Sequence, residues 1–204
     1  TIHAASAKYT RKLTRDQVNS VPIRAWDGEV TVARDPETAE AAFAKFADAE
    51  VVGFDTETRP AFRKGQFFLP SLLQLATEET ACVIQLDQIR DDALVCDFLA
   101  RPFPLKVGVS LQDDVADLRR RQNFDPAGFL DLGDVARSAG LQTHGLRNLA
   151  ANLLGFRISK SAQTSNWAAK QLTEKQIRYA ATDAWVGFLL FRRMVEIGIL
   201  VKTS

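Results

Sequence analysis

Val51-Val52-Gly53-Phe54-Asp55-Thr56-Glu57-Thr58 is an apolar run that closes on two carboxylates. β-Branched and aromatic residues favour an extended chain, and side chains two apart on a strand leave the same face, so Asp55 and Glu57 converge. The strand predicted over residues 50–58 is followed by two more, over 69–77 and 81–86, and the Glu78-Glu79-Thr80 spacer between these is short enough for an antiparallel hairpin. A meander results. Upstream, an extended run over 30–33 stops at Asp35-Pro36 and yields to a helix over 37–49, whose apolar face is Ala39, Ala42, Phe43 and Phe46. Downstream come a helix near 90–99, a buried strand over 105–109, a helix over 112–122 and a last short strand over 129–132. The remainder reads as helix, at 134–139, 146–154 and 174–197. A meander followed by strands separated by helices defines the α/β class: a mixed sheet of about five to six strands flanked by helices.

With 204 residues, 46% hydrophobic and 25% charged, the chain suffices for one substantial core. Residues 26–204 read as a single domain. Residues 1–25, with Lys8, Arg11, Lys12, Arg15 and Arg24 but few apolar anchors, read as an N-terminal arm around a short helix starting at Thr14. Thr14-Arg15-Asp16-Gln17 and Thr173-Glu174-Lys175-Gln176 both have the spacing of a capping box, and Gly198 is the expected stop of the last helix. The 26 Lys+Arg against 25 Asp+Glu leave a net charge of +1, which excludes the long-range basic field of a non-specific nucleic-acid binder. Any such contact must be local.

Cys82 and Cys96 fall in a predicted strand and a predicted helix, where they fit buried thiols of a reducing compartment and offer neither a disulfide framework nor a zinc site. No run approaches the ~20 apolar residues of a membrane span, and the first residues lack a secretory apolar region. The expectation is a cytoplasmic protein without a membrane partner. Gly53 and Gly108 lack phosphate-loop spacing, so no dinucleotide cofactor is expected, and neither a Gly-x-Ser-x-Gly elbow nor a Cys/His dyad signals another hydrolase chemistry. His144 stands without a neighbouring Cys or second His and reads as a loop residue, not a ligand.

Converging acids such as Asp55 and Glu57 repel and raise each other's pKa unless a cation lies between them, and a hard divalent ion is the natural counterion. Taken alone, the pair fits equally well as solvated acids on an edge strand. A second segment, Lys106 onward through Gly108, Ser110, Asp113, Asp114 and Leu118, passes from a buried strand into a helix. Carboxylates are favoured at a helix start, so capping accounts for Asp113. Asp114 precedes Leu118 by four residues; the leucine can anchor the helix while the acid aims along the sheet edge. A third segment, Tyr179-Ala180-Ala181-Thr182-Asp183-Ala184, puts tyrosine and aspartate one turn apart on a helix whose alanines invite close packing. Asp183 there needs a metal or hydrogen bonds to compensate its desolvation. For Tyr179 spacing alone leaves open a core aromatic with a satisfied hydroxyl.

The three segments, in this order, resemble the three exonuclease motifs of the DEDD superfamily: Asp-x-Glu at Asp55 and Glu57, Gly-x5-Asp-x3-Leu at Gly108, Asp114 and Leu118, and Tyr-x3-Asp at Tyr179 and Asp183. Phe54 to Thr58, Ser165-Asn166-Trp167 and Leu172-Thr173 are similar to the ribonuclease D and Werner-type exonuclease branch. The resemblance covers about residues 50–187. Where the other branch carries a histidine five residues before its last aspartate, Arg178 stands here, so the tyrosine (DEDDy) type is implied. The resemblance further implies a ribonuclease H-like fold and a metal-dependent 3'-5' exonuclease releasing nucleoside 5'-monophosphates from DNA or RNA 3' ends. Its cofactors would be two divalent cations, Mg²⁺ or Mn²⁺, held by Asp55, Glu57, Asp114 and Asp183, with Tyr179 orienting water. Thr56, Phe67, Phe68, Leu72, Arg157, Lys160, Asn166 and Trp167 are the candidate substrate contacts, some as aromatic or apolar faces for a terminal base. Lys170, Arg178 and the Arg119-Arg120-Arg121 run are further cations that either meet phosphates or are solvated. The chain ends soon after its last motif, which inclines the expectation towards DNA; RNA trimming of the ribonuclease D kind, or a non-catalytic binding module, are the alternatives.

Overall fold

The computed structural model describes residues 1–89 and 92–201, with the side chain of Asp92 left out. One six-stranded sheet organises the chain, in the order β1-β4-β3-β2-β5-β6. Its strands are β1 (Val30–Ala33), β2 (Val51–Glu57), β3 (Leu72–Ala76), β4 (Ala81–Gln85), β5 (Leu105–Gly108) and β6 (Phe129–Asp131). The expected meander is present: β2 pairs antiparallel with β3 and β3 with β4. Strands β1, β5 and β6 join in parallel, each reached through helical connections. The mixed sheet with flanking helices is therefore as the sequence indicates.

The pleat of β2 divides its residues between two cores. Val52 and Phe54 enter a cluster with Ala39, Ala42 and Phe43 of α3 (Pro36–Ala44), Val95 and Phe98 of α5 (Asp92–Leu99), and Leu118 of α6 (Leu111–Arg121). On the opposite face, α7 (Leu132–Ser138), α8 (Leu146–Leu149) and the long α9 (Glu174–Glu196) cover the sheet, burying Leu149, Val186, Leu190 and Met194. Between α8 and Gly155 the chain widens into a π-helical turn, Ala150–Leu154, which ends where Gly155 takes a φ of 73°. The apolar spacing predicts one continuous helix there.

Several other boundaries shift for identifiable reasons. Helix α3 stops at Ala44 rather than 49, because Lys45, Phe46 and Ala47 donate to carbonyls three residues back, a tighter turn that buries Phe46. Helix α7 begins at Leu132, two residues early, because Asp131 caps it through Gly133 and Asp134 amides. Short helices α1 (Ala7–Thr10), α2 (Arg15–Ser20) and α4 (Leu86–Ile89) complete the set; α1 and α4 give no periodic signal in so few residues. Both anticipated capping boxes form, at Thr14 and Thr173. The start of the helix expected near residue 90 lies outside the described residues.

Residues 1–25 are docked on the sheet-covering helices. Tyr9 is buried in the α9-side core, its carbonyl accepts from Asn152 at 2.8 Å and its hydroxyl meets Arg193 at 3.0 Å. Val18 is buried too, and Ile2 and Ile23 form bridges to Leu200 and Arg157. Tyr9 and Val18 are thus apolar anchors that the charge-rich composition of the segment hides.

Helix α9 approaches the sheet more closely than side chains would allow. A Cβ on Gly53 would stand 1.8 Å from the carbonyl oxygen of Ala184, and one on Gly187 would stand 3.0 Å from that of Val107. The first contact is impossible without moving a helix. Gly53→Ala is therefore expected to lower stability by about 3 kcal/mol, at the upper end of ordinary overpacking, read as a large drop in denaturant midpoint; a midpoint equal to the parent's would contradict the close approach.

Candidate active site

Parallel strands β2 and β5 end at the same edge of the sheet, so the segments leaving them meet there. Strand β2 ends in Asp55, Thr56 and Glu57. Beyond β5 the chain turns through Ser110, whose φ of 63° and ψ of 38° place a non-glycine residue in the left-handed region. Ser110 gives helix α6 no side-chain cap; instead the Asp131 carboxylate accepts from the Leu111 amide at 2.7 Å. That tie fixes the first turn of α6, which carries Asp114. Helix α9 crosses β2 at Gly53 and delivers Tyr179 and Asp183 to the same edge.

A cleft of about 400 Å³ opens there, lined by Asp55, Thr56, Glu57, Tyr179, Asp183 and residues of the 145–148 and 158–163 segments. Asp114 stands behind its wall, where the Thr56 hydroxyl donates to its carboxylate. Burial pushes all four acids upward. Asp55 is raised well above the usual carboxylate range by desolvation and then by Asp183, Asp114 and Glu57. Glu57 is pushed up to about 9 by desolvation, with Asp183 and Asp114 adding repulsion. Desolvation lifts Asp183 to about 7 against a hydrogen bond from Tyr179, and lifts Asp114 to about 6 against the one from Thr56. The Tyr179 phenol is raised by burial and by the same acids, so it stays protonated.

Asp183 is 8% exposed, and its Oδ1 has no hydrogen-bond partner among the described residues. An orphaned buried carboxylate oxygen among mutually repelling acids fits a hard divalent cation, which takes oxygen ligands. Among the described residues no three acids are already drawn into a closed ligand set, as expected of like charges that repel.

The candidate substrate contacts separate. Thr56 and Lys160 line the cleft. Phe67 is 57% exposed beneath the Arg120 guanidinium, and Phe68 is half-buried under Arg59. Leu72 and Trp167 need correction as base-stacking surfaces: both are fully buried in one cluster with Ala180, and the Trp167 ring lies 5.7 Å from that of Tyr179, which it supports from behind. The sequence offers no means of telling a tryptophan under the tyrosine from one in the cleft. Asn166 is exposed but not part of the cleft lining, and its backbone carbonyl accepts from Gln176. Arg157 is half-buried behind the lining, with an unpartnered Nε. Arg120 forms an exposed ion pair with Asp117, whereas the Arg121 side chain is mostly buried, pairing with Asp87 and donating to the Leu86 carbonyl; His144 bonds the Leu141 carbonyl from a loop.

Sequence reasoning missed Gln74. It lies directly across from Asp55 in the β2–β3 register, is fully buried, and neither its amide nitrogen nor its oxygen has a partner among the described residues. A lone amide within the apolar strand Leu72-Leu73-Gln74-Leu75-Ala76 was the available signal. Arg147, Asn148 and Gln163 of the lining carried none.

With fold and site in place, comparison with known proteins is decisive at the family level. Residues 30–198 match the 3'-5' exonuclease domain family model, and the chain belongs to that family. It is 30% identical over 161 residues to the bifunctional 3'-5' exonuclease/ATP-dependent helicase WRN of Mus musculus, covering 76% of this chain and 11% of that protein. It is 34% identical over 139 residues to ribonuclease D of Haemophilus influenzae, covering 66% of this chain and 33% of that one. The chain thus spans between about a tenth and a third of these relatives' length. The solved Nibbler EXO domain of Aedes aegypti superposes with a TM-score of 0.76 at 22% identity, over 85% of this chain and 92% of that one, which establishes the ribonuclease H-like fold.

The raised carboxyl pKa values carry a sign. Acids that hold protons more tightly when folded stabilise the protein below their ordinary pKa near 4, and that contribution is lost as pH climbs through the folded values of about 6, 7 and 9. In chelator, the melting temperature should therefore fall between about pH 5 and pH 9. Asp183→Asn should flatten that fall and raise the melting temperature at the alkaline end, and Mg²⁺ or Mn²⁺ should restore it in the parent. A melting temperature that rises with pH in chelator would overturn the electrostatic description.

Proposed function

We propose that this domain is a 3'-5' exonuclease of the tyrosine subtype that releases nucleoside 5'-monophosphates, and that Asp55, Glu57, Asp114 and Asp183 hold two divalent cations, Mg²⁺ or Mn²⁺. The observation that carries the proposal is the gathering of Asp55, Glu57 and Asp183 at one cleft, with Asp114 behind Thr56 of its wall, around an Asp183 oxygen that has no partner among the described residues. Such ions supply Lewis-acid stabilisation of the attacking and leaving oxygens of an in-line displacement and lower the pKa of water. Asp55 is the common member, since each of the other three acids bears on it. Glu57 lies beside it on the same face of β2, Asp183 reaches the cleft from α9, and the Thr56 hydroxyl donates to Asp114.

Tyr179 acts as a hydrogen-bond donor. Its phenol is kept protonated by burial and by the acids, so it orients the attacking water and does not serve as base. Arg178, in the place where the other subtype carries histidine, is exposed and is not part of the cleft lining, which supports the tyrosine reading. DNA is the proposed polymer, on the likeness of the motif text to the Werner-type branch. The ribonuclease D likeness supports RNA as the second reading. A cytoplasmic site of action is part of the proposal, supported by the fully buried thiol of Cys82.

DNA and RNA strands labelled at either end, incubated with Mg²⁺ or Mn²⁺ and with chelator, test these statements together. Stepwise loss of mononucleotides from 3' ends, abolished by chelator, by Asp55→Asn and by Asp183→Asn, is expected. Tyr179→Phe should retain activity reduced by about 10- to 100-fold, the scale of a lost orienting contact. Cation-dependent turnover by the Asp55 variant, or binding of strands without cleavage by the parent, would refute the catalytic assignment.

A further inference from the structure

Beside the catalytic cleft lies a second pocket of about 480 Å³, whose polar lining is Lys12, Arg15, Asn19, Arg147, Asn148 and Lys160 together with Thr143. Among the described residues, four cationic side chains and no carboxylate line it. None of the four is in an ion pair among the described residues. In a chain whose 26 basic and 25 acidic residues otherwise cancel, this is a local concentration of uncompensated charge. A solvated basic face is ordinarily convex and interspersed with acids; this one is concave and has none.

Arg147, Asn148 and Lys160 line both pockets, so the cationic surface continues directly into the cleft that holds the acids. Its outer wall is built by the N-terminal segment. The Arg147 guanidinium donates to the Asn19 side chain of α2 at 2.9 Å and to the Ile158 carbonyl at 3.3 Å, which ties that segment to the cleft wall and fixes the cation. Buried Val18 and the Thr14 capping box hold α2 in place, leaving Lys12 and Arg15 exposed towards the pocket. Electrostatics requires such a neighbour: a polyanion approaching clustered carboxylates is repelled by them, and attraction has to come from groups alongside.

We propose that this pocket is a phosphate subsite for the backbone of a single nucleic-acid strand, and that it holds the strand on the 5' side of the nucleotide being removed. The direction rests on the 3'-5' exonuclease reading of the cleft: with the 3' end at the acids, all remaining strand lies on the 5' side. Lys12 and Arg15 confer affinity for strands long enough to reach them and take no part in hydrolysis.

The test compares the parent with K12Q/R15Q, using K45Q/R137Q as a control that removes two cations outside both pockets. Fluorescence anisotropy of a 5'-labelled oligonucleotide, titrated in chelator over a range of salt, reports binding without chemistry. For K12Q/R15Q, affinity should fall about ten-fold and the slope of log affinity against log salt should become shallower by about 1.4, roughly 0.7 for each lost phosphate contact. The control should match the parent. Turnover of the p-nitrophenyl ester of thymidine 5'-monophosphate with Mn²⁺, a substrate too short to reach the pocket, should be equal in all three proteins. Unchanged affinity and slope in K12Q/R15Q would overturn the subsite, whereas a parent inactive on both ester and strand would overturn the reading of the cleft. The anisotropy result decides the subsite in either case.

Discussion

The contact between the backbone of α9 and that of β2 is the constraint on which the site depends. Gly53 lets the Ala184 carbonyl sit where a side chain would be, and Gly187 lets the same helix pass over Val107. Alanines at 180, 181 and 184, all fully buried, keep the rest of the interface thin. Only at that separation do an aspartate of a helix and an aspartate of a strand, each on a short side chain, bear on one another. Longer acids at a wider interface would reach across with more rotamer freedom and less defined geometry. Small residues thus act here as positional determinants of carboxylates that lie two and four residues away from them.

Bringing four acids together out of water opposes folding, since each resists losing its charge to burial. The opposition is tolerated because two extensive apolar clusters lie on either side of the sheet and neither includes the acids. Site and scaffold are physically separate in this sense. Asp55 and Glu57 sit at the end of β2 and Asp114 in the first turn of α6, where a backbone amide and a hydroxyl help: the Thr56 amide and the Thr56 hydroxyl reach Asp55 and Asp114 respectively. Ser110 carries the backbone cost of the arrangement in its left-handed conformation, and Asp131 compensates by capping both α6 and α7. Perturbed carboxyl groups concentrated in one cleft, above a well-packed core, are a pattern associated with functional sites.

Much of this was legible from residues alone because the relevant signals are local. Alternation in Val51 to Glu57 marks a strand and its two faces, the spacing of Tyr179 and Asp183 marks one face of a helix, and Thr14 and Thr173 announce helix starts by their own side-chain bonds. What was illegible depends on contacts across the fold. The burial of Trp167 against Tyr179, and of Leu72 in the same cluster, comes from how a loop returns over the sheet, and no periodicity encodes that. The docking of residues 1–25 was hidden for a related reason: a single tyrosine and a single valine anchor a segment whose composition is otherwise that of a solvated tail. Helix α3 reads too long in the sequence because Phe46 keeps the helical apolar spacing even though its backbone has already tightened into a different turn.

Gln74 shows where the two kinds of information meet. Its position opposite Asp55 is fixed by strand register, which the sequence implies once the meander is accepted, but its lack of any partner is visible only in three dimensions. A buried amide with neither donor nor acceptor engaged costs about 1 to 3 kcal/mol for each unsatisfied group, so an apolar residue at that position would make a more stable strand. Leu72 and Ala76, the β3 residues on the same face, show what the sheet accepts there. The amide lies beside Asp55 on the face of the sheet that α9 covers. Gln74 is thus a polar group held, at a cost, next in register to the acid on which the other three bear.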